Sequence, residues 1–113
     1  MNAPGFDVPA VHLTARSWAT IDATMDNVGH TAIFTMRPDD EAAVEAIRQA
    51  GWDQVPWIDG AWPPMDQILM IRLSADLWQF AIRHVRRALE APVDDESEAL
   101  ERAALAEVEP QLR

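Results

Sequence analysis

The sequence predicts an α+β fold, a small single domain built from two strand-helix units that an internal duplication would explain. Residues 11–21 (VHLTARSWATI) align with residues 71–81 (IRLSADLWQFA), sixty positions further on, with leucine, alanine and tryptophan identical at three matched positions. In both stretches apolar residues first alternate and then recur at helical spacing. A chain of 113 residues is long enough for one such domain to bury about two thirds of its unfolded surface.

Each unit is predicted to run from a strand through a capping residue into a helix. Thr14 and Ser74 can cap the first free N–H groups of the helices that follow them. Trp18 and Trp78, four residues past the caps, can fold back over the strand ends. If the two units are related by a pseudo-twofold axis, their strands are antiparallel.

The middle of the chain leaves one assignment open. Helical spacing continues after the first cap, but residues 31–36 (TAIFTM) are rich in β-forming residues. Either the helix ends near Gly29 and a strand follows, or the helix runs on toward Arg37, which we favour. Pro38 breaks it, and a further helix with an acidic first turn is predicted to end at Gly51.

An inserted segment, GWDQVPWIDGAWPP (51–64), contains three tryptophans and three prolines. Asp59-Gly60 is a strong signal for a two-residue hairpin turn, which would make Trp57 and Trp62 a cross-strand pair. Trp52 would attach the loop to the preceding helix. The hairpin is either a lid over the core or a partly exposed surface that grips a partner, since tryptophan is frequent in binding hot spots. The candidate binding residues are Trp52, Trp57, Trp62 and Asp59.

The second unit is the clearer one. Residues 67–73 (QILMIRL) are nearly all apolar, which predicts a strand covered on both faces. A helix is predicted over 75–90. A last helix over 95–109 carries a thin apolar line among glutamates and either docks lightly or waits for a partner. We therefore expect a disordered N-terminus (1–8), a core domain (9–91) and an acidic C-terminal helical segment (92–113).

Charge and composition restrict the partners. The net charge is −10 and all nine basic residues are arginine, a usage that with abundant alanine indicates the coding bias of a high-GC bacterium or phage. A negative field repels phosphate backbones, so nucleic acid is an unlikely partner and a basic protein surface a favourable one. No apolar run is long enough to span a membrane and no signal peptide is apparent, so a cytoplasmic location is expected.

The sequence contains no recognisable catalytic or metal-binding motif. His12, His30 and His84 have no ligand spacing, cysteine is absent, and the serines and glycines form neither a nucleophile elbow nor a phosphate loop. We therefore expect no metal, no cofactor and no enzymatic activity.

One basic patch stands out, formed by Arg83, Arg86 and Arg87 beside His84. It is interpreted as an ion-pair face that meets the acidic C-terminal segment. Alternatively, a strand, a capped helix and a second helix formally resemble the ribbon-helix-helix arrangement of some DNA-binding regulators. Apolar residues on both faces of the predicted strand argue against that alternative.

The leading functional prediction is a non-catalytic protein-interaction module of the inhibitor, antitoxin or immunity type. Its carboxylates would cover a basic target, and the Trp57/Trp62 hairpin would supply an apolar anchor. The alternatives are a ribbon-helix-helix-like transcriptional regulator and a small enzyme with an unrecognised site. A homodimer formed edge to edge through the small sheet is a further expectation.

Overall fold

A computed structural model describes residues 8–35 and 38–112, with side chains described at 8–30 and 38–112. The chain forms two strand-helix-helix units. They are joined by residues 55–67, which include Trp57 and Trp62 and which we call the Trp-rich loop. The first unit consists of β1 (Ala10–Thr14), α1 (Ala15–Thr35) and α2 (Pro38–Gln54). The second consists of β2 (Ile68–Arg72), α3 (Ala75–Glu90) and α4 (Asp95–Val108), followed by a 3₁₀ turn (Glu109–Leu112). The predicted α+β class is confirmed.

The two strands pair antiparallel, as the predicted pseudo-twofold axis requires. The ladder runs from the pair Ala10–Arg72 to the pair Thr14–Ile68. Val11 lies opposite Ile71, the second pair of this ladder. Val11 and Ile71 are also equivalent in the sixty-residue repeat. A pair that is both matched by the repeat and joined across the ladder lies on the axis that relates the two units.

Both predicted helix caps form. The Thr14 hydroxyl accepts a hydrogen bond from the Ser17 N–H (3.1 Å), and the Ser74 hydroxyl accepts one from the Leu77 N–H (3.3 Å). Each cap satisfies a backbone donor that has no partner inside its own helix. The helices therefore begin directly after the two strands, where the repeat placed them.

The core lies between the inner sheet face and the helices. The two tryptophans of the repeat, Trp18 and Trp78, are almost completely buried and meet edge to face, with ring centroids 6.1 Å apart and planes at 76°. The indole N–H of Trp78 donates to the carbonyl of Pro9 (3.2 Å). Edge-to-face pairs of this kind add about 0.5–1.5 kcal/mol beyond the burial of area.

In the first unit, α1 and α2 both continue through residues whose sequence only weakly indicates a helix. α1 continues through residues 31–35 as a helix, which confirms the favoured assignment. Residues 36 and 37 lie outside the described residues. So do residues 1–7, which form most of the segment expected to be disordered. The predicted end of α2 at Gly51 is wrong, because α2 runs on to Gln54. Gly51 lies against Trp18 and serves close packing there rather than helix termination.

The expectation that β2 is covered on both faces is also wrong. Leu69 and Ile71 are buried, whereas Ile68 and Met70 are 60% and 49% exposed. The face of β2 that carries Ile68 and Met70 is not covered by any helix of the described chain. β2 therefore has one buried face and one open face, although its sequence is almost uniformly apolar. The Trp-rich loop does not extend the sheet, which has two strands.

Glutamine side chains close the outer edges of the sheet at matching positions. Gln111 donates to the His12 carbonyl (2.6 Å) and accepts from the His12 N–H (2.9 Å). Gln54 does the same at Arg72 (2.8 and 2.7 Å). A side-chain amide offers the donor and acceptor of a strand residue, so each unit closes the strand edge of the other. A second copy would have to displace these amides to pair edge to edge.

The C-terminal helix packs against the first unit. Ala104 and Val108 of α4 are fully buried, and the helix contacts α1 and β1. The Glu107 carboxylate accepts from the Thr14 N–H (2.7 Å) and from the buried Ser17 hydroxyl (2.8 Å), which reinforces the α1 cap. Within the described chain, the helices are all too short or too polar to cross a membrane.

Candidate functional site

The three tryptophans of segment 51–64 contact one another in a row, which we call the tryptophan stack: Trp52 belongs to the last turn of α2, and Trp57 and Trp62 lie on either side of the hairpin turn. Neighbouring ring planes are tilted by 34° and 57°. Trp57 lies in the middle, with its ring centroid 5.4 Å from Trp52 and 4.6 Å from Trp62. The predicted turn forms: Ile58 and Ala61 exchange two backbone hydrogen bonds of 2.9 Å. The two turn residues, Asp59 and Gly60, have φ of 50° and 80°, the left-handed pair that a type I′ hairpin requires.

Exposure is graded along the stack. Trp57 and Trp62 are half-buried and pack against the hydrophobic core, whereas Trp52 is 67% exposed. Ile58, beside the turn, is 55% exposed. The inner two tryptophans thus act as a cover for the core while the outer one faces solvent. We call the exposed face of Trp52 the tryptophan surface.

Gly51 sets the position of Trp52. A Cβ at residue 51 would lie 2.8 Å from Nε1 of Trp18, a distance that real Cβ contacts do not tolerate. Glycine lets the last turn of α2 approach the buried Trp18 closely, and the next residue in the helix then meets Trp57. Gly51 therefore packs against the buried Trp18, and the adjacent Trp52 carries the exposed ring.

A small cavity of about 40 Å³ lies beneath the stack, lined by the three tryptophans of the stack with Trp18, Asp22, Arg48 and Gly51. Arg48 pairs with Asp22 (3.3 Å) and with Asp26 (2.9 Å), so a single cation is shared between two carboxylates beside the cavity. The indole N–H of Trp57 is buried without an acceptor among the described residues. Its ring contacts, not a hydrogen bond, hold Trp57 in the stack.

Two exposed carboxylates belong to the same segment as Trp52. Asp53 follows Trp52 in α2 and Asp59 occupies the hairpin turn, and both are exposed. Asp53 accepts from the Gln49 side-chain amide (3.0 Å), and among the described residues neither carboxylate forms an ion pair. The surface is therefore apolar at its centre and negative beside it.

The predicted basic patch lies elsewhere, on α3. Arg86 forms an ion pair with Glu109 of the C-terminal segment, the contact that the ion-pair interpretation expects. The Arg83 guanidinium lies 5.4 Å from the centre of the Phe80 ring. Burial, followed by the charge of Arg83, lowers the pKa of His84. Arg87 is exposed, so the patch keeps two outward cations.

Sequence reasoning missed a second site, the α1–α4 groove, a cavity of about 440 Å³ between these two helices. Its distinctive residue is Glu101, whose Oε1 is buried with no hydrogen-bond partner among the described residues. Burial, with the charges of Asp94 and Glu98, raises the pKa of Glu101.

Comparison with known proteins gives no relative: no family model, no curated protein and no solved structure matches this chain.

Proposed function

We propose that this protein is a non-catalytic protein-interaction module of the inhibitor, antitoxin or immunity type that binds its partner through the tryptophan surface. The single observation that carries the proposal is the large exposed fraction of Trp52, a residue type that is usually well buried. Its ring is not loose, because it is stacked on Trp57.

The available binding energy is substantial. A tryptophan buries about 150–250 Å² when fully covered, so the exposed part of Trp52 offers roughly 130 Å², or about 3 kcal/mol at 25 cal/mol per Å². A ring already fixed by stacking loses little side-chain entropy on binding. Both properties are those of a hot-spot residue.

The charge distribution favours a basic partner. The protein carries a net charge of −10, and the exposed Asp53 follows Trp52 directly in α2. Complementary charge speeds association and discriminates against acidic competitors. We therefore expect a partner with an apolar side chain that covers Trp52 and with cations around it.

A ribbon-helix-helix-like regulator is the second candidate, and one observation favours it. The two strand-helix-helix units with paired antiparallel strands have the arrangement that β-ribbon DNA readers use. Charge opposes it: the first turn of α2 contains Asp39, Asp40 and Glu41, and that of α4 contains Asp95, Glu96 and Glu98. Phosphates would meet carboxylates at these helix N-termini.

Affinity capture with quantitative mass spectrometry tests the first proposal. Immobilised wild type, Trp52→Ala and Ile68→Ala are exposed to lysate of the source organism. Ile68 is a matched control because it is 60% exposed but lies on the open sheet face. We expect a basic protein captured by wild type and by Ile68→Ala but depleted about thirtyfold by Trp52→Ala, the effect of a 2 kcal/mol hot spot.

The contrary result is equal capture of every protein by all three baits, with circular dichroism showing that all are folded. Fluorescence anisotropy with random-sequence duplex DNA separates the second candidate. Salt-sensitive binding that is lost when Arg83, Arg86 and Arg87 are changed to alanine would favour the regulator.

A further inference from the structure

The α1–α4 groove has the size of a small-molecule site. Its volume of about 440 Å³ falls within the range of roughly 300–1,000 Å³ that such sites occupy. Ala19 and Ala23 of α1 and Leu100 of α4 provide apolar lining. Glu101 lies in the same groove, and one of its carboxylate oxygens is buried with no hydrogen-bond partner among the residues that the structure describes.

The repeat shows that Glu101 occupies an apolar position. When the two edge-closing glutamines, Gln54 and Gln111, are matched, α2 aligns with α4 at an offset of fifty-seven residues. Ile47 then matches Ala104, and both are fully buried. At the same offset Glu101 matches Val44, which is 6% exposed. The second unit thus carries a carboxylate where the first carries a core valine.

Hydrogen-bond acceptors line both walls of the groove. On α1, the Thr20 hydroxyl donates to the Arg16 carbonyl and the Thr24 hydroxyl donates to the Thr20 carbonyl, each at 2.9 Å. A hydroxyl has one proton and two lone pairs, so these two groups can only accept from a ligand. On α4, the Glu101 carboxylate lies in the lining, and its buried Oε1 has no hydrogen-bond partner within the described part of the chain.

The one guanidinium in the lining is already paired. Arg16 donates to Asp66 at 2.8 Å. Glu96 adds a second carboxylate to the lining. The lining also includes the polar side chains of Asn27 and Ser97. Two carboxylates against one guanidinium that is already ion-paired give the groove an excess of negative charge. This excess favours a cation, and an ammonium group has three donors and no acceptor.

We propose that the α1–α4 groove binds a small organic ammonium ion, whose charged head donates to the Glu101 carboxylate and whose alkyl body lies against Ala19, Ala23 and Leu100. This site is separate from the tryptophan surface and does not depend on the function proposed for it.

Nuclear magnetic resonance titration of the full chain with hexylammonium chloride tests this site. Hexan-1-ol, with the same alkyl body and no charge, is the control ligand. Glu101→Gln keeps the shape of the side chain and removes its charge; Asp76→Asn removes one charge from α3, outside the groove lining. Glu101→Val, which installs the residue of the matching α2 position, is the second variant.

We expect saturable shifts at the backbone amides of residues 19, 23 and 100 in wild type. A charge-assisted hydrogen bond predicts about tenfold weaker binding by Glu101→Gln and Glu101→Val, and about tenfold weaker binding of hexan-1-ol by wild type. Asp76→Asn should bind within about twofold of wild type, since surface charges are well screened.

Three results would overturn the proposal: no saturable shifts at these amides, equal affinity for the alcohol and the ammonium, or full affinity in both Glu101 variants. The ligand comparison uses wild type alone, so it decides the matter even if a variant fails to fold.

Discussion

Replacing Gly51 with alanine is predicted to disturb the contact between α2 and the core. The new Cβ would lie 2.8 Å from Nε1 and 3.3 Å from Cε2 of Trp18. Trp18 cannot move aside easily, because it is 1% exposed and packed edge to face on Trp78. The variant must therefore shift α2 or distort the indole.

Two opposing terms set the size of the effect. Overpacking a well-filled core costs about 1–3 kcal/mol, and replacing a helical glycine by alanine returns about 0.5–1 kcal/mol. The expected net loss for Gly51→Ala is about 1–2 kcal/mol. For a domain of this size that lowers Tm by roughly 4–8 °C.

Gly29→Ala is the matched control, since Gly29 lies inside α1 and its added Cβ would meet Cγ1 of Val44 at 3.2 Å. That methyl group can yield by a few tenths of an ångström, so we expect stability within about 0.5 kcal/mol of wild type or higher. Urea denaturation followed by circular dichroism gives both values. Equal stability of the two variants would refute the close-packing role assigned to Gly51.

Two further predictions concern the sheet edges and the groove. Changing Gln54 and Gln111 together to alanine removes five exposed hydrogen bonds, at a cost of about 2–3 kcal/mol in all. It also opens both strand edges, so sedimentation should show concentration-dependent self-association; a strictly monomeric double variant would contradict the edge-closing role. Burial raises the pKa of Glu101 above its ordinary value of 4.5. As the pH rises, the unfolded chain therefore releases this proton before the folded protein does. The free energy of unfolding decreases as a result. Glu101→Gln should therefore be more stable than wild type in urea at pH 7, with the difference shrinking below about pH 4; a difference that is the same at both pH values would contradict it.

The sequence repeat was sufficient to predict the class of fold because it combines two local signals. Capping hydroxyls at Thr14 and Ser74 fix where helices begin, and the alternation before them fixes where strands end. Asp59-Gly60 was sufficient for the hairpin, since few residue pairs accept two consecutive left-handed conformations. These features depend on neighbours in sequence and can be predicted without the tertiary structure.

The remaining features depend on contacts between distant residues. Gly51 has the sequence signature of a helix end, and only the proximity of Trp18 explains why the helix continues. The apolar sequence of β2 cannot reveal that no helix covers Ile68 and Met70. Glu101 lies among other glutamates in an acidic segment, so its burial is visible only when α4 is packed and compared with α2.

The graded exposure of the tryptophan stack has the same origin. Trp52, Trp57 and Trp62 were all candidates, and sequence spacing does not distinguish them. The continuation of α2 places Trp52 on the outer side of Trp57, which makes it the most informative residue to vary. Its removal takes away an exposed ring and leaves the core cover formed by the other two tryptophans in place.

The most direct test of the proposed interaction is the Kd of the captured partner, measured by calorimetry with purified proteins. We predict that Trp52→Ala weakens binding about thirtyfold, while Ile68→Ala stays within about twofold of wild type. Equal Kd values for Trp52→Ala and wild type, with both proteins folded, would show that the partner does not bind the tryptophan surface.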